Sequence, residues 1–474
     1  MHIKPNMLLL ASSLLVLILG LCCIDSGHNW SDDFALYISQ TQALLEGNTK
    51  DLLKANYFAM EHSYAHVGPY LYPNGFPILL LPVYMIFGLN FWALKVYCLL
   101  FFIASIPLLY QICRQLNCSI NQALSITLLV VFNYHFIRFS DHVLSDLPFF
   151  FFSLLSYYLI QKQFYKSYLK AFLLGILIFF SYNIRDIGIM LLPCLFIYQW
   201  QDYKQTQKRS FLLLLPYLIF VLAWITRWSL SPSIPSKQLS LLSETSVEIF
   251  LNNVYYYALL IGNYFLLFRG VPLGIQLLIS SVFVGLFCFG IYKKGRQQPA
   301  LLVYVSTTMG IYLIWISFQG MRFLFSILPF VVYFIIEGMK ALPISFQLRR
   351  FLIIGLILSS LAQSLFISVY YWQTNTNEAY SSEMQTIYRF IQEKTPSDAL
   401  IIFHKPRALR LFTNRNSVQK NIPAAGYLLI QRPYNFHSSD AILLQTEHYA
   451  FLLANSTANS KASGYSESSN TNNK

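Results

Sequence analysis

The chain has 474 residues, of which 56% are hydrophobic, 17% aromatic and only 11% charged. A soluble domain carries about 25% charged residues, so an ordinary soluble fold is excluded, and many apolar runs approach the roughly 20 residues that cross hydrocarbon. The net charge of +13 does not point to nucleic acid, because the basic residues fall in short loops between apolar runs rather than on one stripe.

The first apolar run, 7–24, follows Lys4 and lacks a clear small-x-small cleavage site, so it is expected to be an uncleaved anchor with its N-terminus in the cytoplasm. The acidic turn Asn29-Trp30-Ser31-Asp32-Asp33 comes next. Further spans are expected at 92–112, 119–137, 147–160, 169–182, 187–200, 211–228, 272–292, 301–318, 323–339 and 351–371. This is an all-α polytopic membrane protein of about eleven transmembrane helices. Lysine-rich turns then face the cytoplasm and most acids face outward, although acids do not themselves set topology.

Two apolar segments, 76–89 and 249–268, fit the charge pattern better as amphipathic helices lying in the outer interface, where aromatic rings are favoured. Beyond residue 373 the composition changes, and 374–454 reads as a small α/β extracytoplasmic domain with strands near 399–403, 427–430 and 441–444. Residues 1–373 form the transmembrane domain, with an external loop at 25–91, and the Ser/Asn/Thr-rich tail 455–474 is expected to be disordered. The seven cysteines follow neither a disulfide framework nor metal spacing and read as small buried hydrophobes.

Candidate chemistry concentrates at the ends of spans. Asp32 and Asp33 stand beside Phe34, Leu36 and Ile38, and a carboxylate near apolar surroundings gains proton affinity, which suits a general base. A helix cap at Ser31 or Asp32 is the plainer alternative. Asp146 either faces a site or caps the span that starts at Leu147, and Asp141 is a rival acid nearby. Arg185 and Arg322 offer guanidinium forks for phosphate, against interfacial snorkelling or, for Arg185, a pair with Asp186. Glu61, His62 and His66 would make only a partial metal site, with no third ligand at the expected spacing.

The run Asp33-Phe34-Ala35-Leu36-Tyr37, then Ala43-Leu44-Leu45-Glu46-Gly47, resembles the acidic motif in the first external loop of C-superfamily polytopic glycosyltransferases. The likeness is to bacterial relatives of protein O-mannosyltransferases and lipid A aminoarabinose transferases. In that family a Tyr stands four residues after the key aspartate, as Tyr37 does after Asp33; Phe34 replaces the second acid of the common Asp-Glu form. Tyr72-Pro73-Asn74-Gly75-Phe76-Pro77 resembles the proline-rich approach to the family's interfacial helix, with Pro73-Asn74 where Pro-Pro is usual, and His142 to Pro148 resembles its second external loop. The segment from Lys405 to Arg415 resembles the soluble tail of the same bacterial group and reads as structural.

The resemblance implies a glycosyltransferase in the bacterial cell (inner) membrane. Its sugar donor would be polyprenyl-phosphate-linked and its extracytoplasmic acceptor a lipid, glycan or protein. Asp33, with Asp32 behind it and Asp146 as a further acid, would be catalytic; Arg322, Arg185, Tyr37 and Tyr72 would bind substrate. A divalent metal is an open possibility. A lipid-linked-sugar flippase, another transporter, or an envelope polysaccharide polymerase is the alternative.

Overall fold

The computed structural model describes residues 4–64, 69–207, 211–230, 245–268, 270–374, 377–431 and 441–453. The expected disordered tail and His66 of the partial metal site lie outside these ranges. The chain divides into two compact units: Met1–Ile24 with Ala93–Thr374, and Asp25–Trp92 with Asn375–Lys474. The segment read from sequence as an external loop of the membrane domain therefore groups by packing with the C-terminal segment.

The first unit is helical. Among the described residues, five helices are long and apolar enough to cross a membrane by length and composition. They include Pro5–Cys23, Phe91–Gln115 and Leu273–Lys294. Other expected spans are shorter helices, such as Asp146–Gln161, Tyr168–Ile184 and Leu328–Ala341. The expected span 119–137 is two helices, Ile120–Val131 and Tyr134–Phe139, broken at Asn133.

That break is satisfied from several sides, as buried backbone requires. The Asn133 side chain accepts from the His135 N–H at 3.1 Å and donates to the Tyr264 carbonyl at 2.6 Å. The Phe132 carbonyl accepts from the Ser364 and Ser360 hydroxyls at 2.6 and 3.0 Å. The segment Val247–Phe265 is a 19-residue helix whose Tyr257, Ile261, Tyr264 and Phe265 enter the core. Five of the cysteines are buried, but Cys22 is half-buried and Cys288 exposed, so burial does not extend to all seven.

The second unit joins three helices, Asp32–Glu46, Thr49–Glu61 and Gly75–Phe87, to a small α/β fold. Strands β1 (Leu400–Ile402), β2 (Asn416–Val418), β3 (Tyr427–Gln431), β4 (Ala441–Gln445) and β5 (Tyr449–Leu453) form one sheet in the order β2-β1-β3-β5-β4. β1 is parallel to β2 and β3, whereas β3, β5 and β4 are antiparallel neighbours. The helices Ser382–Lys394 and Pro406–Thr413 bury Ile387, Ile391, Leu409 and Phe412.

Candidate active site

In the second unit, Asp32 and Asp33 open the helix Asp32–Glu46, where the unpaired N–H groups of the first turn favour negative charge. Ser31 occupies the cap position without a side-chain cap bond. Gly47 ends the helix at φ +71, a left-handed conformation that suits glycine, with its N–H on the Ala43 carbonyl. The two acids meet different surroundings. Asp32 is 7% exposed, whereas Asp33 is half-buried.

Asp33 accepts a hydrogen bond from the Tyr72 hydroxyl at 2.7 Å. Tyr72 stacks on Tyr37 with ring centroids 4.3 Å apart, and Tyr37 meets Phe76 edge-on at 4.8 Å. Burial and the adjacent Asp33 carboxylate push the Tyr72 hydroxyl well above its ordinary range, so it stays a donor. Gln40, one turn beyond Tyr37, grips the backbone of residue 72 from both directions: it accepts from the Tyr72 N–H and donates to the Tyr72 carbonyl, each at 2.9 Å. Thus Asp33, Tyr37 and Tyr72 come together as one cluster. Gln40 was missed in sequence, since a lone glutamine in a helix carries no signal.

Burial pushes the Asp32 carboxyl above its ordinary range, and the charges of Arg407 and Lys405 pull the other way without overcoming it. Arg407 is 4% exposed; its Nη2 donates to the Pro69 carbonyl at 2.8 Å and lies 3.2 Å from the Met60 sulfur. Nearby, Trp30 meets Phe403 and His404 edge-on at 5.3 and 5.5 Å, and burial lowers His404 to about 4. A segment read as purely structural therefore lies against the acidic turn.

The first unit holds the remaining candidates. Asp146 pairs with Arg185 rather than serving as a span cap, and Arg185 pairs with Asp146 where Asp186 was the alternative. Arg185 and Arg322 both lie near the Phe323 ring, at 5.2 and 6.0 Å from its centroid. Arg322 donates to Gln319 at 2.5 Å, and the intervening Gly320, at φ +70, gives its N–H to the Tyr256 hydroxyl at 2.9 Å. Asp141 forms a buried pair with Lys95 at 2.6 Å. Lys95, 0% exposed, escaped sequence reading because it sits inside a long apolar run.

For metal, the described residues contain no group of three or more His, Cys, Asp or Glu side chains. Glu61 instead accepts from the Tyr70 hydroxyl at 3.2 Å, and the His62 Nδ1 lies 2.9 Å from the Phe58 carbonyl.

The model of the dolichyl-phosphate-mannose-protein mannosyltransferase family matches residues 71–226. No curated protein sequence matches the chain. Among solved structures, ArnT from Cupriavidus metallidurans in the apo state is similar with a TM-score of 0.56 and 10% identity, over 94% of this chain and 97% of its own. The same protein bound to undecaprenyl phosphate gives 0.57 at 10% identity, with the same 94% and 97% shares. The oligosaccharyltransferase of Archaeoglobus fulgidus, in complex with Zn and sulfate, gives 0.52 at 11% identity, over 89% of this chain and 67% of that one. The arabinofuranosyltransferase AftD from Mycobacteria gives 0.53 at 11% identity, over 91% of this chain and 35% of its own.

Proposed function

From a chain with the fold of the C-superfamily membrane glycosyltransferases, we propose an inverting membrane glycosyltransferase whose sugar donor is a polyprenyl phosphate. The observation that carries this reading is the Asp33 carboxylate, held by the Tyr72 hydroxyl at 2.7 Å on a helix N-terminus, in a chain whose fold matches a protein solved with undecaprenyl phosphate.

In the proposed step an acceptor hydroxyl or amine attacks the anomeric carbon, and the bond from that carbon to the phosphate oxygen breaks. Asp33 takes the proton released by the acceptor. Base assistance of this kind contributes about 10²–10⁴-fold. The polyprenyl phosphate leaves with the negative charge, for which guanidinium groups are suited donors; Arg322 and Arg185 take that role. Tyr72 holds the base, Tyr37 stacks on Tyr72, and the pair offers an aromatic surface to a sugar. The transferred group is a hexosyl or pentosyl unit, and the acceptor a lipid, glycan or protein.

Transfer from a panel of polyprenyl-phosphate sugars, together with undecaprenyl phosphate binding, tests the reading on the purified protein. Arg322→Gln is expected to weaken undecaprenyl phosphate binding by about tenfold to a hundredfold, the range for a hydrogen bond between charged groups. Unchanged binding in that variant would remove Arg322 from the phosphate role.

A further inference from the structure

Three side chains of the helix Asp32–Glu46 reach the same residue. Tyr37 and Gln40 follow Asp33 by four and seven positions, the spacing that lines one helix face. Asp33 accepts from the Tyr72 hydroxyl at 2.7 Å, Tyr37 stacks on the Tyr72 ring at 4.3 Å, and Gln40 binds the Tyr72 backbone. Tyr72 itself lies between the helices Thr49–Glu61 and Gly75–Phe87, outside any regular element, so no ladder of its own fixes it.

We propose that Gln40 is a positioning residue: its side-chain amide fixes the backbone of residue 72 and thereby holds the Tyr72 hydroxyl on Asp33. That Asp33 is a base rests on the function proposed above; the hold of Gln40 on Tyr72 does not.

A carboxamide suits this task because it carries a donor and an acceptor side by side. Tyr72 precedes Pro73, which disfavours helical backbone and biases residue 72 toward an extended form. An extended residue offers its N–H and its carbonyl to one partner, as in paired strands. Gln40 takes both, each at 2.9 Å. It also donates to the Asn74 Oδ1 at 3.1 Å, and Asn74, at the cap position of the helix Gly75–Phe87, makes no side-chain cap bond. Gln40 is buried, and a buried amide bonded through both its nitrogen and its oxygen is held rigidly. Two bonds to one residue block sliding and pivoting together, whereas a single bond leaves the pivot open. The distinction matters because a backbone turn at residue 72 is magnified at the far end of a tyrosine, and reacting geometry is kept to within about 0.5 Å. Gln42 offers a contrast. It donates to the Tyr84 hydroxyl at 2.7 Å, so it ties the same two helices together at residue 84 instead.

Fluorine NMR on the full-length protein in lipid nanodiscs, with a difluorotyrosine at position 72, tests the hold without substrate. Titration of that phenol reads its bond to Asp33, since a nearby carboxylate favours the protonated phenol. Gln40→Met keeps the length of the side chain and removes the amide. Its phenol is expected to titrate lower by about one pH unit or more, the scale of a hydrogen bond to a charged group. Gln42→Met should stay within about 0.3 pH unit of the native value. An unchanged titration in Gln40→Met, or an equal fall in Gln42→Met, would overturn the proposal. If Gln40→Met does not fold, Gln40→Asn, shorter by one methylene, takes its place under the same two criteria.

Sugar transfer supplies the second readout. Groups facing Asp33 and Tyr72 include Asp32 and Tyr37 from the same helix and Arg407 from the helix Pro406–Thr413, and these variants retain them all. Losing a donor raises a carboxylate's proton affinity. The acid limb of the single-turnover pH profile should therefore move up by about one pH unit in Gln40→Met and equally in Tyr72→Phe. In the Tyr72→Phe background, Gln40→Met should change the rate by no more than about twofold, because the hydroxyl it positions is already gone. Additive losses would overturn the proposal. Because the fluorine titration needs no turnover, a protein that transfers no sugar but titrates as expected would reject the transferase reading alone. An active protein whose titration is unchanged in Gln40→Met would reject the role of Gln40 alone.

Discussion

At the scale of single residues, the chemistry is decided by which neighbours a side chain keeps. The Asp33–Tyr37–Tyr72 cluster was legible because Asp33 and Tyr37 share a helix face four residues apart and carry the family's spacing. Its fastening was not: Gln40 reaches residue 72 across 32 positions, and no local pattern encodes that. The pairings Lys95–Asp141 and Arg185–Asp146 were equally hidden, since each joins residues about 40 or more positions apart. Asp32 gives a pH test. Burial raises its carboxyl above the ordinary value of 3.8, so the folded state favours the protonated form. Its contribution to stability is fully present below the unfolded value and is lost as pH rises through the raised folded value. Asp32→Asn carries no such loss. Its thermal midpoint relative to the native protein is therefore expected to rise as the pH is raised above the ordinary carboxylate value of 3.8. A difference that is flat, or that falls with pH, would contradict the burial of an ionisable acid at this position.

Among elements, hydrophobic runs located the helices well, because apolar length is a strong local signal. Breaks were harder. The helix boundary at Asn133 depends on hydroxyls from Ser360 and Ser364, more than 220 residues further on. In the sheet, β1, β3 and β4 stand where apolar runs suggested strands, while β2 and β5 were not recognised. Asn416–Val418 is only three residues long, and β5 is buried over four of its five positions, so neither shows alternation. Close packing of the helices Leu273–Lys294 and Leu328–Ala341 rests on a glycine pair. A Cβ on Gly290 would lie 1.8 Å from the Phe334 carbonyl oxygen, and one on Gly338 would lie 2.1 Å from that of Leu286. Small residues at such crossings let helix backbones approach in a membrane. Gly290→Ala is expected to cost about 1–3 kcal/mol through overpacking and to lower the thermal midpoint. Gly285→Ala, on the same helix with no atom within 4 Å of its Cβ, should leave the midpoint unchanged or raise it, since alanine favours a helix. Equal effects of the two substitutions would contradict the close contact.

For the molecule as a whole, composition alone identified a membrane protein, because a chain with 11% charged residues cannot cover itself against water. The division into units was less legible. Residues 25–92 follow the first helix in sequence, yet they pack with the C-terminal segment. The contacts responsible, such as Trp30 with Tyr449, span 419 positions, and such pairings leave no periodicity to read. The central claim is that Asp33 is the base of a sugar transfer from a lipid phosphate. The most direct measurement is single-turnover transfer of labelled sugar from a polyprenyl-phosphate donor by the native protein and by Asp33→Asn, each at saturating donor. The native protein should transfer the label, and Asp33→Asn should be slower by about 10²–10⁴-fold with undecaprenyl phosphate binding retained. Native-like transfer by Asp33→Asn, or no transfer from any such donor by the native protein, would contradict the assignment.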